Sequence, residues 1–308
     1  MTRFLLWRIP QTVVVLFGVV TLAFFMTHVV PGDPARLMAG PNASAATVAS
    51  IHHQLGLDHS AVYQYWLFLK GILHGDLGSS YALAGQSVSR LILRALPVSI
   101  MVAVGGVLVE VLLGVPAGIV AAYRPKSLAD RLTTLVTLIG LSAPPFWLGL
   151  IMLYVLSFKL NLFPLNGWQS PYLNYLVLPS FALGVGGAAW YARLTRTNML
   201  EALRSSYVQT ARAKGMPERQ ILIRHALRNV LSPLVTMLGM DLGYFLGGVV
   251  VIESVFGLQG VGKLTFDAIG TLDIPVITGV VLFAAFFIVF MNLVVDLAYA
   301  AIDPRVRR

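Results

Sequence analysis

Long apolar stretches separated by polar segments dominate the pattern of this chain. A membrane-spanning helix needs about 20 mainly apolar residues, and six stretches of roughly that length contain few or no charges. The predicted spans are 9–30, 97–122, 132–158, 174–192, 230–252 and 275–301. Pro144 and Pro145 predict a kink or break within the third stretch, because proline cannot complete the helical hydrogen bonds. The pattern predicts an all-α integral membrane protein with one domain, 1–308.

Composition supports the same fold class. The 308 residues are 57% hydrophobic and only 11% charged, with a mean hydropathy of +0.79. A soluble globular chain carries about 25% charged residues, so a water-soluble fold is excluded. The chain has no cysteine, which excludes disulfides and thiolate metal sites.

The basic residues are distributed unevenly among the polar segments. Sixteen of the 22 Lys and Arg residues lie in the N-terminus, the 123–131 loop, the 193–229 loop and the C-terminal tail. Cytoplasmic segments of membrane proteins are enriched in these residues. We therefore expect both termini and the 193–229 loop to be cytoplasmic, and the long 31–96 segment to be extracytoplasmic. The net charge of +9 then reflects orientation rather than nucleic-acid binding.

A sequence close to a phosphate-binding loop lies between the last two spans. Gly257, Gly262 and Lys263 fit the G-x-x-x-x-G-K spacing, but Leu264 occupies the position of the hydroxyl that binds magnesium. The predicted orientation also places this segment outside, whereas ATP is cytosolic. We interpret it as an external Gly-rich loop and expect no bound cofactor.

The segment 204–233, "RSSYVQTARAKGMPERQILIRHALRNVLSP", predicts two short helices that meet at a sharp corner. Ser206 is predicted to cap the first helix, with Gln209 completing a capping box. Gly215 suits the left-handed position that ends a helix. Pro217 suits the first position of the next one.

The second helix of this corner carries an apolar stripe and a basic face. Ile223, Leu227 and Leu231 recur at a spacing of four, and Arg224 and Arg228 line another face. Such a corner either docks on a cytosolic partner or lies on anionic lipid. The residue pattern alone favours neither alternative.

The stretch "YVQTARAKGMPERQILIRHALRN" resembles the cytoplasmic loop of binding-protein-dependent ABC-transporter permeases of the dipeptide, oligopeptide and nickel class. The family pattern is Glu-Ala-Ala…Gly, and this chain has Gln209, Thr210, Ala211 and Gly215 at those positions. At the family's Ile-x-Leu-Pro element, residues 225–228, only Leu227 matches. The stretches "VVPGDPA", "SAPPFWLGL" and "ESVFGLQGVGKL" are also similar to the family.

The resemblance implies a type I ABC-importer permease that forms half of a peptide translocation pathway in the inner membrane and is not itself an enzyme. Its implied partners are a related, non-identical second permease, two cytosolic ATPase subunits and an extracytoplasmic substrate-binding protein. The implied ATPase-coupling residues are Tyr207, Gln209, Thr210, Ala211, Arg212, Lys214, Gly215, Pro217, Arg224, His225, Leu227 and Arg228. The implied receptor-side loop contains Glu253, Phe256, Gly257, Gly260 and Gly262.

Two acidic residues, Glu110 and Asp241, lie in the middle of predicted spans. A charge at that depth costs at least about 2.5 kcal/mol, so each should face protein or water. They either line the pathway and contact a cationic solute, or form buried hydrogen bonds between helices. We favour the hydrogen bonds, because the sequence does not fix the rotation of either helix.

Other functions remain open at this point. The two acids are compatible with an ion-coupled secondary transporter. Within the same importer class, the cargo is alternatively a nickel chelate or glutathione. His52, His53, His59 and His74 cluster in the outer segment, and imidazole is a nickel ligand, but their spacing fits no standard metal site and we expect none.

Overall fold

The computed structural model describes residues 2–29, 33–40, 43–54, 56–83, 85–246 and 249–302. The end of the first predicted span, Val30, and the three arginines of the C-terminal tail lie outside these ranges. The described residues are almost wholly helical, with one isolated bridge between Ser79 and Ser87.

The helices of the outer half of the sequence and of the core follow in chain order. The first five are α1 (Thr2–Val29), α2 (Pro34–Ala39), α3 (Ala45–Gln54), α4 (Ala61–Leu73) and α5 (Val88–Tyr123). The next five are α6 (Leu128–Ser142), α7 (Pro145–Met152), α8 (Tyr172–Arg204), α9 (Ser206–Ala213) and α10 (Glu218–Gln220). The last four are α11 (Leu227–Leu246), α12 (Val250–Val255), α13 (Val261–Gly270) and α14 (Ile274–Ile302). Two π-helical segments, Leu153–Lys159 and Ile221–Ala226, extend α7 and precede α11.

The packing of α5 against α8 forms the centre of the protein. Glycines let the two backbones approach closely, as is common between membrane helices. A Cβ atom on Gly114 would lie 2.4 Å from the Ala188 carbonyl oxygen, and one on Gly118 would lie 2.5 Å from the Ala192 carbonyl oxygen. Substitution along this seam would therefore force the two helices apart.

Helices long and apolar enough to cross a bilayer are counted here among the described residues only. Three qualify directly, namely α5, α8 and Ile274–Leu297 of α14. Two bent pairs qualify if each is one span: Leu128–Ser142 with Pro145–Lys159, bent by 97°, and Glu218–Ala226 with Val230–Leu246, bent by 52°. The apolar part of α1, Pro10–Met26, is shorter. The count of six spans therefore remains a prediction.

The prolines act differently at different places. The break at Pro144 and Pro145 agrees with the expectation from sequence, since α6 ends at Ser142 and α7 begins at Pro145. By contrast, α5 continues through both Pro97 and Pro116.

Two predicted boundaries differ from the helices observed. The predicted span 174–192 lies inside α8, which continues to Arg204, so part of the predicted 193–229 loop is helical. The arginines of that part mark where polarity changes, but they are good helix formers and do not end the helix. The predicted span 230–252 is likewise divided between α11 and α12.

Candidate functional site

The inner corner, residues 205–228, begins where α8 ends and is held by a small apolar core of its own. Val208 and Ile221 are fully buried, and Ala211 is nearly so. Leu203 and Met216 pack against them. Ala211, one of the predicted coupling residues, therefore faces its own chain and stabilises the corner from within.

Gly215 turns the chain between the two helices of the corner. Its φ of +75° is in the left-handed region, which confirms the expectation for this position. Its amide donates to the Arg212 carbonyl oxygen at 2.9 Å. No described atom lies within 4 Å of a Cβ built on Gly215, so this position requires glycine for its backbone conformation rather than for space.

The helix starts of the corner differ in detail from the sequence prediction. The N-cap of α9 is Ser205 rather than Ser206, and its hydroxyl donates to the Ala202 carbonyl oxygen instead of capping α9. The Gln209 side chain donates to the Arg204 carbonyl oxygen, so no capping box forms. Pro217 precedes α10 as its N-cap residue.

The predicted apolar stripe of the second helix was wrong in phase. Ile223 and Leu231 are exposed, whereas Ile221, Ala226 and Val230 are buried. The first pair of buried residues is five apart because Ile221–Ala226 is a π-helix, whose turn contains about one extra residue. A spacing of four, correct for an α-helix, therefore selects the wrong face.

The outward side of the corner is polar and partly basic. An ion pair between Arg212 and Glu218 spans it, with Nε 2.7 Å from Oε1. The hydrogen bond from Glu218 raises the pKa of the Arg212 guanidinium. His225 and Leu227 are half-buried. The exposed members of the predicted coupling set are Tyr207, Gln209, Thr210, Arg212, Lys214, Gly215, Pro217, Arg224 and Arg228.

A second inner contact, not predicted from sequence, ties the 124–127 loop to α8. The Arg196 guanidinium donates to both oxygens of Asp130, at 2.6 and 3.0 Å. The Lys126 amide also donates to Asp130, at 2.8 Å. The sequence signal available was a Ser127-x-x-Asp130 cap at the start of α6, which the structure contains.

The outer loop, residues 249–273, is organised around a buried carboxylate. Glu253 accepts hydrogen bonds from the Ser99 hydroxyl at 2.7 Å and from the Lys263 amide at 3.0 Å. The Ser99 hydroxyl oxygen in turn accepts from the Val261 amide at 2.8 Å. The glycine-rich run that resembles a phosphate loop thus binds the protein's own carboxylate.

Most of the predicted receptor-side residues lie inside this outer loop. Glu253, Phe256, Gly260 and Gly262 are buried, and Gly257 is half-buried with a φ of +64°. A Cβ on Gly260 would lie 2.3 Å from the Glu253 carboxylate. These residues therefore set the shape of the loop, and their role toward a receptor stays a prediction.

A second carboxylate, Asp273, joins the outer segment to the start of α14. It is buried and accepts from the Ser80 hydroxyl and from the Tyr81 and Ala82 amides, the last two at 3.0 and 3.1 Å. Burial, with a further contribution from the Asp273 charge, raises the pKa of the Tyr81 phenol to about 12. No sequence pattern indicated this contact.

The outer histidines form separate contacts. His52 lies 3.1 Å from Asp33, and His53 bonds to Asp58 at 2.8 Å. The His53 hydrogen bond lowers the pKa of Asp58. Among the residues that the structure describes, no three His, Asp or Glu side chains form a group suited to a metal ion.

A cavity of about 530 Å³ lies between the two helix breaks and brings together the two acids that the sequence analysis singled out. The Tyr191 hydroxyl donates to Asp241 Oδ2 at 2.7 Å. Glu110 is only 2% exposed, and its Oε2 has no hydrogen-bond partner among the described residues. The interhelical hydrogen bond favoured from sequence is therefore present for Asp241. The other lining residues are Gly140, Leu141, Ala143, Pro145, Phe146, Leu183, Gly186, Gly187, Trp190, Tyr244, Phe245, Val249, Val250, Val251 and Ile252.

Comparison with known families accounts for nearly the whole chain. Residues 114–308 match the family described as binding-protein-dependent transport system inner membrane component. Residues 1–103 match the family of the N-terminal part of such membrane components.

Two curated relatives are similar over their full length. The glutathione transport system permease protein GsiC of Escherichia coli (strain CFT073) is 37% identical over 307 residues, covering 100% of this chain and 99% of the relative. The oligopeptide transport system permease protein AppB of Bacillus subtilis (strain 168) is 35% identical over 314 residues, covering 99% of each chain.

A solved structure is similar in fold. It is an inward-facing conformation of the MetNI methionine ABC transporter, with a TM-score of 0.56 and 18% identity. The match covers 69% of this chain and 96% of that one. At this identity, the likeness concerns the fold alone.

Proposed function

From the premise that the chain belongs to the family of binding-protein-dependent transport system inner membrane components, we propose which solute and which partners its surfaces serve. The chain is a multi-pass permease subunit of an ABC importer and not an enzyme. Its partners include ATPase and substrate-binding subunits. Family membership favours ATP-driven uptake over the ion-coupled alternative.

The solute is a short peptide. Two full-length relatives are named for glutathione and for oligopeptides, which share peptide bonds and terminal charged groups. A second permease, related but not identical, completes the pathway, and two ATPase subunits bind the pair from the cytosol. Both termini lie on the cytosolic side, as the distribution of Lys and Arg indicates.

The inner corner is the docking element for an ATPase subunit, and the length of α8 is the observation that carries this assignment. Its 33 residues extend about 50 Å, whereas the apolar core of a bilayer is about 30 Å thick. The corner at its end therefore projects beyond the membrane. A short helix with exposed Tyr207, Gln209 and Lys214 suits a groove on a partner.

Gly215→Val tests the docking assignment. We expect the variant to insert normally but to lose most ATPase association and ATP-driven uptake, because the two helices can no longer meet at the same angle. Gly75→Val is the matched control, since Gly75 has a φ of +74° and no described atom within 4 Å of a built Cβ. It imposes the same local strain, about 1 kcal/mol or more, far from the corner.

The readout is co-purification of the ATPase subunits with each variant, followed by uptake in proteoliposomes. Equal ATPase association for both glycine variants and the unaltered protein would overturn the docking assignment. If the corner instead lies on lipid, Gly215→Val is tolerated and Arg212→Ala is the damaging change.

Single cysteines test the orientation, because the chain has none of its own. Ser79→Cys and Gly270→Cys occupy exposed outer positions, and Ala129→Cys and Ser206→Cys occupy exposed inner ones. On intact spheroplasts, an impermeant thiol reagent should label only the first two. Labelling of the inner pair alone would invert the topology.

A further inference from the structure

The central cavity contains a carboxylate oxygen with no hydrogen-bond partner. Glu110 Oε2 is buried, lines the cavity and has no partner among the described residues. A buried acceptor left unpaired is rare and costly in a folded protein. Its presence in a predicted span indicates that something outside the described chain satisfies it.

The same cavity contains a second acid on a different helix. Asp241 is fixed by the hydroxyl of Tyr191, whose side chain is fully buried. Glu110 belongs to α5 and Asp241 to α11, so both helices contribute negative charge to one space. A cavity of about 530 Å³ falls within the range of small-molecule sites.

Aromatic side chains complete the chemistry of the cavity. Trp190 and Tyr244 line it and are 55% and 74% exposed, so their rings are accessible within this chain. Aromatic faces attract organic cations. Two carboxylates beside such rings suit a primary ammonium group, which carries three hydrogen-bond donors.

We propose that Glu110 and Asp241 bind the terminal ammonium group of a peptide as it passes through the membrane. Glu110 Oε2 accepts one N–H, and Asp241 supplies the opposing charge. The assignment rests on the proposed function as a peptide importer and adds a specificity determinant to it. Every unmodified peptide carries this group regardless of its side chains, so one site serves many sequences.

The test uses the complete complex, with second permease, ATPases and binding protein, in proteoliposomes. The probes are glutathione and a mixture of peptides of two to five residues, together with the N-acetylated form of each. Uptake is measured by mass spectrometry and divided by the amount of each probe bound to the binding protein, which removes the selectivity of that subunit. The variants are Glu110→Gln and Asp241→Asn, with Asp296→Asn in α14 as the matched control.

The unaltered complex should import free peptides at least roughly tenfold better than acetylated ones, which is the factor that one charge-assisted hydrogen bond supplies. Glu110→Gln and Asp241→Asn should reduce that ratio toward one, while Asp296→Asn preserves it. Stimulation of ATP hydrolysis by the binding protein shows that each variant has assembled.

Neighbouring glycines provide a second route if Glu110→Gln fails to assemble. A Cβ on Gly187 would lie 1.7 Å from Glu110 Oε1, whereas a Cβ on Gly186 would have its nearest neighbour at 3.8 Å. Gly187→Ala should therefore displace the carboxylate and lower the ratio. Gly186→Ala should leave the ratio unchanged.

The outcomes separate the two proposals. If the unaltered complex imports neither free nor acetylated peptides with ATP, the peptide-importer function is wrong. If it imports peptides but the acid variants reduce free and acetylated uptake equally, or leave the ratio unchanged, the ammonium assignment is wrong and the importer stands. An equal reduction is the result expected from a structural or proton-carrying acid.

Discussion

The inner corner and the outer loop are both sharp turns between helices, but different interactions hold them. The corner is stabilised by three small apolar side chains inside and an exposed ion pair outside. The outer loop is stabilised by a fully buried carboxylate that accepts from Ser99 and Lys263. The glycines differ as well, because Gly215 is open to solvent and Gly260 is pressed against Glu253.

The difference indicates what each turn is for. A turn whose polar groups face outward leaves them available to another protein, and small changes at its surface are tolerated by its own fold. A turn whose polar groups are all consumed internally keeps a fixed shape and tolerates few changes. On this basis, outer-loop substitutions should act on stability, and corner substitutions should act on assembly.

Removing the carboxylate of Glu253 is the most severe test of this contrast. Glu253→Ala leaves the Ser99 hydroxyl and the Lys263 amide without their acceptor, and each buried group left unpaired costs about 1–3 kcal/mol. We expect a clearly lower thermal unfolding midpoint of the purified permease in detergent. Asp267→Asn is the control, since its side chain is 54% exposed and its effect should be small. An unchanged midpoint for Glu253→Ala would show that the buried carboxylate does not hold the loop.

Crowding at Gly260 gives a smaller effect of the same kind. Gly260→Ala places a methyl group 2.3 Å from the Glu253 carboxylate, and overpacking of this kind costs about 1–3 kcal/mol. Gly270→Ala, with no described atom within 4 Å of its Cβ, should shift the midpoint little. Equal midpoints for the two variants would remove the distinction between crowded and open glycines.

The smallest expected effect concerns the ion pair of the corner. Arg212→Glu should weaken ATPase association modestly, because an exposed pair contributes only about 0–1 kcal/mol, and the loss should shrink at high salt. The exchange of both charges, Arg212→Glu with Glu218→Arg, should restore association if the pair braces the corner internally. Binding at two salt concentrations measures this. Persistent weakness of the double variant would mean that Arg212 contacts the ATPase directly.

The sequence was sufficient for the fold class, the family and the turn at Gly215. Long uncharged stretches and a glycine before Pro217 are local signals, and each has one simple physical reading. The all-α membrane architecture and the importer family predicted from them are confirmed. Exact helix ends were less accessible, because arginines at the membrane edge do not interrupt α8.

The features missed depend on contacts between distant parts of the chain. The pairing of Ser99 with Glu253 joins residues 154 positions apart, and that of Tyr81 with Asp273 joins residues 192 apart. No local pattern encodes such pairs. The π-helix at Ile221–Ala226 was missed for another reason, since its residues are ordinary helix formers and only burial shows the changed phase.

The unbroken length of α8 has a mechanical consequence. A helix of about 50 Å that rotates by about 5° about one end displaces its other end by about 4 Å, roughly the rise of three residues. The glycine seam with α5 leaves no room for the two helices to slide independently. The pair therefore acts as a stiff lever arm, and a small push on the cytosolic corner arrives enlarged at the opposite face of the membrane.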